Sequence, residues 1–292
     1  MDIDALVIAA QAAAAGQEGS RPVGRGGLSL YRATRPSPPE HRVYQPVLSL
    51  VLQGEKSISS GERQLGFGRG QSLLIGVDLA VAARVTRADT AAPYLALSVR
   101  PDMDLLRALA AETAVRSAEP PGDGASFETA QADAMLRGAM GRLLALTPTP
   151  RAEAALAPLT LREIHWWMLE GPHGPLLRRL IRADGPAARI ARAVALIRAD
   201  PARAFRVADL AGAAGMSASA FHAHFRAVTA TTPLQFQKRL RLIEARARVQ
   251  AGAAVTDAAL AAGYESPTHF SRDYRRLFGL PPRADRISAA AE

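Results

Sequence analysis

The 292-residue chain contains no cysteine. That absence excludes a disulfide framework, a cysteine-ligated zinc and any sensing of oxidants or electrophiles through a thiol. It fits a reducing, cytoplasmic setting. Histidine is also scarce. Residues 1–164 hold one, His41, placed in a loop after "SPPE". A metal site in a small β unit needs several histidines and a carboxylate on adjacent strands, so no metal and no cofactor is expected. No Ser/His/Asp set emerges either. His222, His224 and His269 fall in the C-terminal third, and His165 and His173 flank "WWMLEG", which reads as helix core and exit turn. The glycine-rich "GFGRGQ" (Gly66–Gln71) lacks a lysine and a following helix, so it reads as a strand-to-strand turn rather than a phosphate loop. No run of about 18 uncharged apolar residues exists, so no membrane span is expected. The N-terminal "MDIDALVIAAQAAAAGQ" has acids but no basic stretch, and reads as a short helix rather than a signal peptide.

Apolar residues make up 48% of the chain, enough to bury two cores. The net charge of +9 is unevenly placed. Residues 184–292 hold 16 Arg and Lys against 9 Asp and Glu, a net +7; residues 1–183 carry the remaining +2. The asymmetry points the C-terminal third toward a polyanion. Of the 36 basic residues 34 are arginine, a bias that high genomic GC content produces by itself.

From Gly27 to Arg100, short apolar or alternating runs such as "LSLYRA", "VLSLVLQG" and "SLLIGV" are cut by Gly, Pro, Asp and Ser. This is a many-stranded β unit, a small barrel or sandwich. Its interior candidates are Leu48, Leu50, Leu52, Leu74 and Tyr94, which would line an apolar, ligand-binding cavity or fill a core. The period changes at Pro101–Asp102, where a helix starts. A loop, "EPPGDG" (Glu119–Gly124), follows. Helices are then expected over Phe127–Leu146, Pro158–Leu169 and Gly174–Arg182. In the first, Met135, Leu136, Met140, Leu143 and Leu144 form a stripe that would pair two subunits or pack on its own barrel. These readings divide the chain into a barrel with its first helix (1–118), a helical dimerisation and linker region (119–183) and an all-helical domain (184–292).

The last domain repeats itself. "GMSASAFHAHFRAVTATTP" (Gly215–Pro233) and "GYESPTHFSRDYRRLFGLPP" (Gly263–Pro282) share an opening glycine, two aromatics four residues apart, an arginine after the second aromatic, and a closing proline. Each is preceded by a short small-residue helix, Val207–Ala214 or Val255–Ala262. The unit is a helix-turn-helix used twice. The glycine takes the tight turn, and Ser217 or Ser266 caps the second helix. Phe221 and Phe225, or Phe270 and Tyr274, bury one face. The opposite face carries Ser219, His222, Ala223 and Arg226 in the first copy. In the second it carries Pro267, Thr268, Ser271, Arg272 and Arg275. Hydroxyl, imidazole and guanidinium groups are the kinds that read base edges and hold phosphates. Between the copies, Pro233 to Gly252 reads as one helix of roughly 27 Å, at ~1.5 Å per residue. A strut of that size can hold two heads in successive major-groove segments ~34 Å apart. The alternative is an ordinary helical bundle, which would not require matched glycine, aromatic, arginine and proline positions.

These blocks, with "TTPLQFQKRLRLIEARARV", resemble the DNA-binding domain of the AraC/XylS transcription regulators over about Ile190–Asp285. The block from "GLSLYRATRPSPPEHRVYQPVLSLVLQG" onward and "PLTLREIHWWMLEGPHGPLLRRLI" resemble the cupin-like sensor of one branch of that family. The resemblance implies an α+β chain: a cupin-like β-barrel followed by helices, then two helix-turn-helix units joined by a long helix. It implies double-stranded operator DNA as partner, with Ser219, His222 and Ala223 toward bases and Arg226 toward phosphate. In the second unit Pro267, Thr268, Ser271 and Arg272 would sit in the groove. A small-molecule effector, a homodimer and RNA polymerase are further candidate partners. Two other readings remain open: a DNA-binding protein whose barrel only dimerises, and a cupin enzyme with an appended DNA-binding domain. Arg272 is the expected main reader of sequence, with a phosphate clamp as its alternative role.

Overall fold

The computed structural model describes residues 2–113 and 124–289. Residues 119–123 of the expected loop lie outside them.

The chain opens with α1 (Ile3–Ala14), capped by Asp2. Nine strands follow: β1 (Gly19–Val23), β2 (Leu28–Ala33), β3 (Glu40–Tyr44), β4 (Val47–Gln53), β5 (Glu55–Ser60), β6 (Arg63–Gly68), β7 (Gln71–Ile75), β8 (Leu79–Arg87) and β9 (Tyr94–Val99). After α2 (Met103–Glu112) comes a tenth strand, β10 (Phe127–Gln131). The strands form two antiparallel sheets, one of order β1-β2-β9-β4-β7-β10 and one of order β3-β8-β5-β6. The sensor is therefore a sandwich and not a closed barrel.

Three expectations need correction. The β region begins before Gly27, because β1 pairs with β2. His41 lies on β3, paired opposite Ala82, and not in a loop. Phe127–Leu146 is not one helix. Phe127–Gln131 alternates and pairs with β7, and α3 (Ala134–Leu146) begins only where the Asp133 carboxylate accepts the Leu136 N–H at 2.7 Å.

Helices α4 (Pro150–Glu170) and α5 (Gly174–Ile181) complete the sensor half. Glu153, 3% exposed, fixes α4 to the β1–β2 turn by accepting the Arg25 and Gly26 N–H groups at 2.6 and 2.8 Å. The stripe proposed for pairing subunits is used inside the chain: Leu136, Met140, Leu143 and Leu144 are buried as α3 packs on α4 and α1. Of the five, Met135 stays exposed.

The C-terminal domain comprises α6 (Pro186–Ala199), α7 (Val207–Ala213), α8 (Ala218–Thr229), α9 (Pro233–Gln250), α10 (Val255–Ala261), α11 (Pro267–Phe278) and α12 (Pro282–Ala289). The main hydrophobic core runs from the sandwich through α6, α7 and α8 to Phe236 and Leu240 of α9. A second, smaller core of Leu242, Ala245, Ala259, Ala262, Phe270 and Tyr274 belongs to α9–α11.

Candidate nucleic-acid interface and effector cavity

Both repeats fold as helix-turn-helix units. α7 ends at Gly215 (φ +61°) and α10 at Gly263 (φ +74°), conformations that cost a glycine little. At Gly263 a side chain is also excluded, since a Cβ would lie 2.7 Å from the Ala202 carbonyl oxygen. Ser217 accepts the Ala220 N–H and Ser266 the His269 N–H, so both caps form, and Pro267 opens α11 where its missing N–H is harmless. Phe221, Phe225, Phe270 and Tyr274 are fully buried. Their rings meet edge-on or tilted, at 5.5 Å in the first pair and 5.4 Å in the second.

The opposite faces are open. Ser217, Ser219, His222, Ala223 and Arg226 are exposed on the first unit. Pro267, Thr268, Arg272 and Arg275 are exposed on the second, with Ser266 and Ser271 half-buried. Ser271, Arg272, Arg275 and Arg276 line one surface depression with Gly279 and Pro281.

The long helix α9 uses its charged side chains mainly as internal ties. Arg241 donates to the carbonyls of Pro201, Ala202, Arg203 and Gly263, and Gln237 donates to those of Pro201 and Arg203. Lys238 pairs with buried Asp273 of α11 at 2.6 Å. Arg246 and Tyr274 donate to Asp285 of α12 at 2.7 and 2.6 Å, and Gln250 adds a third donor. Burial pushes the Asp285 carboxyl up, but these donors outweigh it and hold the acid below the usual range. Burial and the hydrogen bond to Asp285 push the Tyr274 phenol far up, against the opposing pull of Arg246. Asp285 and Asp273 thus fix α11 on the strut. Neither stands out in the sequence, since their partners on the strut, Arg246, Gln250 and Lys238, lie 35 to 39 residues away.

The reading domain rests on the second sheet and on Ser126, the residue before β10 of the first. Ser126 donates its N–H and Oγ–H to the Val228 carbonyl at 3.1 and 2.7 Å, and Ser60 Oγ donates to the Thr229 carbonyl at 3.1 Å. The sensor therefore caps the C-terminal carbonyls of α8, which a helix end leaves without partners. Gly61 (φ +58°) sits so close that a Cβ would fall 1.7 Å from the Ala230 carbonyl oxygen. Arg226 faces Glu62 at 3.3 Å. Farther along, a cleft of about 80 Å³ lies between His41, Ser59 and Ala82 of the sheet and Arg239, Ile243 and Leu277 of the helices. Burial, helped by Arg246 and Arg239, pushes the His41 imidazole down, so it stays neutral against the Phe278 ring. Burial also pushes the Arg239 guanidinium down.

The opposite face of this sheet bounds a larger cavity, of about 830 Å³, between the two sheets. β3 turns Glu40, Arg42 and Tyr44 into it and β5 turns Lys56, while the first sheet contributes Ser29, Tyr31, Ser49, Tyr94 and Ser98. Of the five expected cavity residues Tyr94 lines it. Leu48, Leu50, Leu52 and Leu74 do not. They are 0% exposed on the other face of their strands, in the core on the side where α1 packs. The residues beside them, Val47, Ser49 and Leu73, face the cavity. Side chains alternate along a strand, so a shift of one position exchanges the two faces. Burial pushes the Tyr94 phenol well up and the Tyr31 phenol up, the latter with help from Glu40, so both remain neutral donors.

One constellation went unseen in the sequence. Ser72 Oγ lies 2.8 Å from His173 Nε2, and His173 Nδ1 lies 3.0 Å from Glu128 Oε1. Ser72 and His173 are 1% and 2% exposed, and neither cavity described above reaches them. The array ties β7, β10 and the start of α5 together. His165 is likewise structural: it accepts the Asp102 N–H at 2.7 Å, and burial pushes it down. Among the described residues no three His, Cys, Asp or Glu side chains gather around a metal position, and no helix is long and apolar enough to cross a membrane.

Residues 26–176 match the family model of the AraC-type transcriptional regulator N-terminus, and residues 210–287 match a helix-turn-helix domain. A putative AraC-like transcription regulator of Streptomyces lividans is 35% identical over 94 residues, 32% of this chain and 31% of that protein. The regulator GbdR of Pseudomonas aeruginosa PAO1 is 29% identical over 111 residues, 38% of this chain and 30% of that protein. The chain spans about a third of the length of the curated relatives it matches. The crystal structure of ToxT from Vibrio cholerae O395 has the same fold at 10% identity, with a TM-score of 0.56 over 90% of this chain and 98% of that one. The first family model alone takes up more than half of the sequence, and with the paired helix-turn-helix units behind it the chain belongs to the AraC-type family of transcriptional regulators.

Proposed function

We propose that the chain binds double-stranded operator DNA through α8 and α11 and changes that binding when a small molecule fills the cavity between its sheets. The observation that carries the first part is the paired open faces. Two capped helices with buried aromatics on one side present Ser219, His222, Ala223 and Arg226, and Thr268, Ser271, Arg272 and Arg275, on the other. The second part is supported by the position of the β3-β8-β5-β6 sheet, with the cavity on one face and the reading domain on the other. A ligand that moves this sheet moves the seat of α8. Arg272 is the main sequence reader, because guanidinium forks onto guanine O6 and N7. Arg226 is a phosphate contact.

The test is a binding selection on randomised duplexes with wild type, Arg272→Ala and Arg226→Ala. Arg272→Ala loses preference at one position, worth ~1–3 kcal/mol. Arg226→Ala weakens all sequences alike and lowers the salt slope by about one. An unchanged sequence logo for Arg272→Ala removes the base-reading role. Because Arg241 and Arg246 are spent on internal ties, the salt dependence rests on Arg226, Arg248, Arg272, Arg275 and Arg276 rather than on the strut as a whole. Catalysis has no support in the site: Ser72 and His173 are buried away from both cavities, and of the array Glu128 alone is partly exposed. A homodimer would have to use a surface other than the α3 stripe.

A further inference from the structure

We propose that the cavity selects an organic monocarboxylate, held at its negative end by Lys56; this rests on the reading of the cavity as the effector site. The chain uses lysine twice, at Lys56 and Lys238, against 34 arginines. Lys238 is spent on Asp273. Lys56, half-buried on β5, has no acidic partner among the described residues. Its ammonium donates one hydrogen bond, to Tyr44 Oη at 3.1 Å, and stands 4.7 Å from the Tyr31 ring centre, 5.7 Å from that of Tyr44 and 5.8 Å from that of Tyr94. An ammonium has three donors, so two remain for the cavity it lines. The tyrosine faces steady the cation and keep its position fixed.

The other charges at the cavity do not offer the same site. Arg42 is paired with Glu40 at 2.9 Å, Arg198 with Asp78 at 2.6 Å, and Arg100 is engaged by Gln45. Arg84 reaches Ser57 at 3.4 Å. A cation held in place without a counter-charge, beside neutral phenols that can donate to an anion, is complementary to one carboxylate. Phe67, Leu73, Ala96 and Val85 offer apolar walls to the rest of the ligand. Ser29, Ser49 and Ser98 form a row across β2, β9 and β4 in which Ser98 is paired opposite both of the others, and their hydroxyls have no protein partner among the described residues. They accept a ligand body that carries hydroxyls. Glu40 at the rim disfavours a second negative charge, which limits the ligand to one.

The test uses the full chain and matched acid, amide and amine sets with alkyl and aryl bodies of six to twelve carbons. Binding is read by thermal shift and titration calorimetry at up to millimolar ligand, where a binder raises stability by mass action. The acids are expected to bind and the matched amides and amines not. Lys56→Met is expected to weaken the acids about tenfold or more, as loss of a charge-assisted hydrogen bond does. Lys56→Arg should retain the preference for acids. Because Lys56 carries no internal ion pair, ligand-free Lys56→Met should keep a wild-type circular dichroism spectrum and a cooperative melt, lowered only by the lost tyrosine contacts, which separates lost recognition from misfolding. Amides or amines binding as well as the acids, or Lys56→Met keeping wild-type acid affinity, overturns the assignment. So does the absence of binding by every acid. The effector reading is judged separately, by whether the small-molecule fraction of a bacterial extract raises the melting temperature and shifts operator affinity. It survives a neutral or cationic ligand; the carboxylate assignment does not.

Discussion

The two helix-turn-helix units are built alike and held differently. The first shares the core of the sensor, and its reading helix α8 ends on the sensor itself, with the Val228 and Thr229 carbonyls bound by Ser126 and Ser60. The second has a small core of its own. Its reading helix is tied to the strut and to α12 through Asp273 and Asp285, and meets the sensor mainly where Phe278 faces His41 and Leu277 lines the cleft. The helix ends differ in the same sense. α11 finishes on Gly279 at φ +83°, where a left-handed residue is unstrained, whereas α8 finishes on Ala230 at φ +58°, against Gly61. Duplication therefore produced one unit that the sensor positions and one that positions itself. Effector control would act on the first, while the second supplies a constant share of affinity.

The largest expected effect separates the two cores. Phe225→Ala and Phe270→Ala each empty a fully buried aromatic site and cost about 3–5 kcal/mol. Phe225→Ala should lower one transition of the whole molecule in calorimetry. Phe270→Ala should split off a separate, lower transition of the second unit and leave the main one in place. A single shared transition in both variants would mean the cores are coupled as one.

Next is the clamp. Asp285→Ala leaves Arg246 and Tyr274 without their buried acceptor, at a cost of about 3 kcal/mol. Lost amide protection should be confined to α11 and α12, and operator binding should weaken without loss of the response to effector. The smallest effect sharpens the contrast at the helix ends. Ala230→Gly relieves a left-handed alanine and should stabilise the protein by up to ~1 kcal/mol, whereas Gly279→Ala should destabilise it by a similar amount, both read from chemical denaturation.

The reading units were legible because their signals are local. Glycine, cap, aromatic pair and proline lie within twenty residues, and the second copy checks the first. The sandwich was legible as β structure, but the cavity was not. In β4 Leu48, Leu50 and Leu52 are buried and so is Val51, because one face meets helices and the other the opposite sheet across the cavity. When both faces are apolar, alternation no longer says which one a ligand sees. β10 reads as part of the helix after it because its five residues carry no turn signal, and Asp133 beyond them caps a helix rather than breaking one. The ties from Glu153 to Gly26, from His173 to Ser72 and from Ser60 to Thr229 span 127, 101 and 169 residues. Contacts at such separations leave no pattern in a single sequence.

The central claim, that the sensor binds the end of the first reading helix by its backbone carbonyls while the second touches the sensor mainly through Leu277 and Phe278, is tested most directly by hydrogen exchange on wild type and Gly61→Val. A side chain at Gly61 cannot coexist with the Ala230 carbonyl oxygen at its present distance, so the β5–β6 turn and α8 must part. The account predicts that amides of α8, and the Ser126 N–H bound to Val228, exchange faster in the variant, while amides of α11 keep wild-type protection. Equal loss in α8 and α11, or no change in α8, would contradict it.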